Sequence, residues 1–127
     1  MPKISIFISG LTFLVGITIW ALTRESAPLT PIERGEKLLS ESGCRSCHLE
    51  DSSFRAPRLE GLVGKERSFT DGSRKIADAA YIIESIKFPK RLLVEGYQGN
   101  MPSYKDTFDQ KSLEDIVLFL SQPRTHP

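Results

Sequence analysis

The only two cysteines of this chain lie three residues apart, in Cys44-Arg45-Ser46-Cys47, and His48 follows directly. Two thiols at that spacing sit within one turn of chain, and an imidazole at the next position projects from the same turn. This C-x-x-C-H arrangement is the attachment signature of c-type haem. The thiols add to the two vinyl groups on one porphyrin edge, and the histidine reaches the iron. With two cysteines and two histidines in the whole chain, an accident of this kind has odds of roughly one in 4000, so chance is set aside. A chain of this size buries only a modest core, and a large apolar cofactor adds to it.

Two other chemistries use the same residues. A dithiol redox pair expects the strand–helix setting of a thioredoxin-like fold, which this sequence does not display. Half a zinc site needs further ligands, and the only other histidine is His126, in a proline-flanked tail. The expectation is therefore one covalent haem c on Cys44 and Cys47, with His48 as an axial ligand of its iron.

Iron held by one histidine needs a sixth ligand or keeps an open position. Apart from Met1 the chain has a single methionine, Met101, within Gly99-Asn100-Met101-Pro102. The residue before a proline is pushed toward extended geometry, so Met101 belongs on a loop rather than on a core helix face. A lone methionine is usually core filler, but one pinned between glycine and proline in a long irregular stretch is better explained as the second axial ligand. His126 is the rival. Thioether ligation suits iron that cycles between two oxidation states without binding a small-molecule substrate. It argues against a haem peroxidase or gas sensor with an open position.

Composition narrows the classes further. The 127 residues allow one domain, and all 16 acidic residues and all but one of the 17 basic ones lie beyond Thr23, where they cancel. No nucleic-acid partner is expected, because such a binder would carry a one-sided cationic excess. With 39% hydrophobic residues the chain can fill a core, and two cysteines exclude a dense disulfide scaffold.

Residues Ile4 to Leu22 carry no charge. As a helix they would run roughly 28 Å at ~1.5 Å per residue, close to a bilayer's ~30 Å core. The segment 1–23 reads as an uncleaved membrane anchor, with a cleaved signal as the competing reading. Lys3 favours an N-in orientation, which puts the polar domain on the extracytoplasmic (periplasmic) side of the cell membrane. Residues 24–31 read as a linker, 32–122 as the domain and 123–127 as a tail.

Helical spacing predicts a helix from Ile32 to Ser42 with Ile32, Gly35, Leu38 and Leu39 on one face. A second is capped by Asp78 and ends at Phe88 before Pro89, with Tyr81, Ile82, Ser85 and Ile86 inward. A third, capped by Asp109 and running to Ser121, buries Leu113, Ile116, Val117 and Leu120. Residues from Pro57 to Gly72 read as loop, and about twenty more after Pro89 lack periodicity, a length that is usually functional. No strand-like alternation stands out. The domain is expected to be all-α with long loops.

Taken together these residues resemble a class I cytochrome c domain. Gly35-Glu36-Lys37-Leu38-Leu39 looks like that family's N-terminal helix, whose glycine lets the C-terminal helix cross closely, here at Phe119 and Leu120. Pro57 matches the proline whose carbonyl accepts the second N–H of the axial histidine, a contact that orients the ring. Asp71-Gly72-Ser73, Tyr81 to Ile86, Gly96-Tyr97 and Met101-Pro102-Ser103-Tyr104 are similar to the cytochrome c domain of caa-type cytochrome oxidase subunit II and its small stand-alone relatives. The resemblance implies three main helices and long loops around one haem c, behind the N-terminal transmembrane helix. It also implies one-electron transfer with other respiratory redox proteins, as a mobile carrier or as a fixed haem subunit of a larger respiratory complex. Lys87, Lys90 and Arg91 are the candidate docking cations for such a partner, against the plain alternative of cations favoured at a helix C-terminus.

Overall fold

Each helix starts at a side-chain cap written into the sequence. The computed structural model describes residues 27–48, 55–59 and 61–123. Helix α1, Pro31–Glu41, opens on a full capping box: Thr30 accepts from the Glu33 amide at 3.3 Å, and Glu33 accepts from the Thr30 amide at 2.7 Å. Pro31 fits the first helical position, where no N–H is needed. Helix α2, Ala79–Lys87, is capped by Asp78, which accepts from the Tyr81 amide. Helix α3, Gln110–Leu120, is capped by Asp109 through the Ser112 amide. All three expected helices are present, each within a residue or so of the predicted ends.

The expectation of an all-α domain is corrected. Strands β1, Glu66–Ser68, and β2, Arg74–Ile76, pair antiparallel, with Arg67 opposite Lys75. A turn joins them: the Gly72 amide donates to the Phe69 carbonyl, Gly72 takes a φ of 81°, and Asp71 accepts from both the amide and the hydroxyl of Ser73. Gly72 supplies the left-handed residue this turn requires. Three-residue strands are too short to show alternation, which is why the stretch reads as loop.

An N-terminal transmembrane helix is not supported by the described residues. Among the described residues no helix is long and apolar enough to cross a membrane. The helices here have 9 or 11 residues, whereas a span needs ~20. Ile4–Leu22 lies outside the described residues, as does His126.

Helix α1 packs chiefly on α3. They approach so closely at Gly35 that a Cβ there would strike the Asp115 carbonyl and meet the Phe119 Cβ. Beside this crossing Arg34 forks onto the Asp115 carboxylate at 2.7 and 3.1 Å, and Lys111 reaches it at 3.2 Å. Asp115 is buried, and its hydrogen bond from Arg34 holds its carboxyl below the usual carboxylate range. Leu39, Leu62, Phe69, Ala77, Ile82 and Ile116 are core residues. Of the predicted inward positions, Val117, Ser85 and Ile86 are half-buried, and Ile32 is exposed. Phe69 anchors the hairpin by packing on Tyr81, ring centroids 5.6 Å apart. The hairpin in turn props the long loop after α2: Thr70 donates to Leu93, and Glu95 to Ser68.

Candidate functional site

Gly43 ends α1 with a φ of 72°, a left-handed turn that redirects the chain into a short 3-10 turn, Cys44–Ser46. The amides of Cys47 and His48 both donate to the Cys44 carbonyl. This winds the two thiols and the imidazole onto one side of the chain. The two residues between the cysteines hold the turn in place: Ser46 Oγ donates to the Gly43 carbonyl at 2.7 Å, and Arg45 pairs with Glu36 at 3.3 Å while its guanidinium lies over the Phe119 ring. No disulfide joins the cysteines. Cys44 is half-buried, and burial pushes its thiol up, with Cys47 adding a smaller push.

His48 Nδ1 lies 2.5 Å from the Pro57 carbonyl oxygen. A carbonyl can only accept, so Nδ1 donates, and in the neutral imidazole this puts the lone pair on Nε2, the tautomer a metal requires.

The Met101 loop is tied to the rest at three points. The Tyr104 amide donates to the Ile86 carbonyl, Ser103 Oγ to the Lys87 carbonyl at 2.7 Å, and Tyr104 OH to the Ser42 carbonyl at 3.1 Å. Tyr104 also stacks on Phe108, centroids 5.5 Å apart. Burial raises its hydroxyl's pKa, which keeps that donor protonated.

Cys44, Cys47, His48, Pro57 and Met101 all line one cavity of about 560 Å³. The volume lies in the range of small-molecule and cofactor sites, about 300–1,000 Å³. Its walls are mostly apolar, with Leu39, Leu59, Ile82, Ile86, Leu92 and Ile116 among them. A large, mostly apolar ligand is what such a cavity suits. Two soft sulfur nucleophiles, an imidazole and a thioether on its walls fit a covalently tethered iron porphyrin. Among the described residues no cluster of three His, Cys, Asp or Glu side chains could hold a metal ion by itself.

Lys87, Lys90 and Arg91 line a shallower groove that also reaches Met101 and Pro102. Arg91 is engaged locally, with Glu84 at 3.1 Å and over the Phe88 ring at 4.4 Å. Lys90 is exposed and Lys87 half-buried. Sequence reasoning missed Arg67, which lines the main cavity, and Ser103 and Tyr104 as tethers of the Met101 loop. The phase of a three-residue strand was the missing signal for the first. The second had a visible cue, since Ser103 and Tyr104 directly follow Met101-Pro102.

No family model matches the chain, and no curated protein is significantly similar to it.

Proposed function

We propose that this chain is a c-type cytochrome of the class I kind, a single-haem protein that passes one electron at a time between respiratory redox partners. The observation that carries the reading is the convergence of Cys44, Cys47, His48 and Met101 on one apolar cavity. Cys44 and Cys47 would hold the haem covalently, and His48 and Met101 would hold its iron. When bound, the haem supplies a one-electron couple. The chain's part is to fix that group and keep its surroundings from rearranging. Pro57 orients the His48 ring, the tethers at Ser42, Ile86 and Lys87 keep Met101 at the cavity wall, and the apolar lining excludes water. With His48 and Met101 both given to the iron, no place would be left for a small-molecule substrate, and the chain would act as a carrier rather than an enzyme. Attachment through two thiols also fits assembly outside the cytoplasm.

For docking, Lys87 and Lys90 beside the Met101 loop offer a positive patch on a nearly neutral molecule, suited to an acidic partner surface.

The test is maturation in a host that attaches c-type haem, followed by acid–acetone extraction. Haem should remain with the protein, and reduction should give a sharp low-spin spectrum. Haem that extracts quantitatively would refute the reading.

A further inference from the structure

We infer that Arg67 holds a carboxylate of the cavity's ligand, an inference that rests on the haem reading and assigns this residue to a haem propionate. Arg67 is the middle residue of β1. Side chains two apart on a strand share a face, and Phe69, two residues on, is 2% exposed in the core. Arg67 is therefore directed inward and lines the cavity, while its neighbour Glu66 points out to pair with Arg74. Its Nε is the one buried side-chain polar atom among the described residues that has no hydrogen-bond partner. Arg67 also enters none of the ion pairs among those residues.

An arginine stays charged, and a buried N–H on a charged group without an acceptor costs about 1–3 kcal/mol or more. Among the described residues that line the cavity there is no Asp or Glu to satisfy it. An unsatisfied Arg67 in a mostly apolar wall suits a ligand that is a large hydrophobe with acidic substituents. Guanidinium and carboxylate match as two planar forks, so the bond fixes orientation as well as charge. Thioether bonds at Cys44 and Cys47 would fix one edge of the group, and Arg67 the acidic one.

The experiment is a midpoint-potential titration against pH on the matured holoprotein, for wild type, Arg67→Gln and Arg67→Lys. Arg55, Tyr97, Tyr104 and His48 line the same cavity in all three proteins, so their contributions cancel in the comparison. A carboxylate paired with Arg67 stays ionised to low pH. Without its partner, burial raises its pKa. The pH at which the potential begins to vary should move up by a unit or more in Arg67→Gln, a tenfold or larger change in acid dissociation, and by less in Arg67→Lys. Should Arg67→Gln fail to accumulate, the smaller shift in Arg67→Lys decides. Superimposable profiles in variants that retain covalent haem would overturn the assignment while leaving the haem reading intact. A wild-type profile that moves with added inorganic phosphate would overturn it too, because the anion would then come from solution. Wild-type protein without covalent haem would defeat the underlying reading itself.

Discussion

Met101 is half-buried in a loop without regular structure, and the bonds that hold it at the cavity are made by its neighbours. Its proposed role is specific enough to test alone. Met101→Ala should abolish the weak long-wavelength sulfur-to-iron absorption band, lower the midpoint potential, and create carbon monoxide binding that wild type lacks. An unchanged spectrum would assign the sixth position to another group. The tethers should be separable from the ligand: Tyr104→Phe keeps the stack on Phe108 but loses the bond to Ser42, worth about 0.5–1.5 kcal/mol. In that variant the same absorption band should disappear at a lower temperature than in wild type, with its room-temperature intensity retained. Equal melting of the band in both proteins would mean the tether does not hold the ligand. At this scale the site was legible because its chemistry is local. Cys44, Cys47 and His48 sit in one turn, and Met101 is marked by Pro102. Arg67 was not legible, since its meaning depends on which way a strand faces, and three residues do not announce their phase.

Helices were readable because caps and spacing act locally. Asp78 and Asp109 cap where expected, and Asp78→Ala should cost about 1 kcal/mol, measurable as a lower denaturant midpoint with an unchanged slope. Thr30 was not expected as a cap, because Pro28 and Pro31 made its surroundings look like linker. In fact Pro31 opens the helix. The hairpin was hidden for a different reason: Glu66–Ser68 and Arg74–Ile76 contain almost no apolar residues. Their pairing is fixed by the turn at Gly72 and by Phe69 beyond the strand's end. Gly35 carries the strictest packing demand. A methyl group there would strike the carbonyl of Asp115, part of the α3 backbone that cannot yield alone. Gly35→Ala should therefore destabilise the protein by about 1–3 kcal/mol, despite alanine's better helix propensity. Neutral or increased stability in a thermal melt would show that α1 and α3 cross with more room than the structure gives.

The described part of the molecule joins α1 and α3 through a half-buried ion pair, braces the Met101 loop with a small sheet, and leaves a large apolar cavity. The ion pair sets a pH dependence. Arg34 and Lys111 lower the Asp115 pKa in the folded state, so its contribution is present above the unfolded value of about 3.9 and is lost as pH falls through the lower folded value. Asp115→Asn should be less stable than wild type at pH 7, and the difference should shrink below about pH 4. A constant difference across that window would contradict the linkage. The proposed docking belongs to this scale as well. With Arg91 held by Glu84, the proposed steering would fall to Lys87 and Lys90. The bimolecular electron-transfer rate should fall with added salt, and a Lys87→Glu, Lys90→Glu double variant should be slower and less salt-sensitive. Identical salt slopes would leave these cations as helix-end charges only. The central claim is that both cysteines are spent on one haem, and the intact mass of the purified protein under denaturing conditions tests it most directly. The account predicts a single species heavier than the polypeptide by one haem, with no thiol left to react with an alkylating reagent. A mass equal to the polypeptide alone, with two alkylatable thiols, would contradict it.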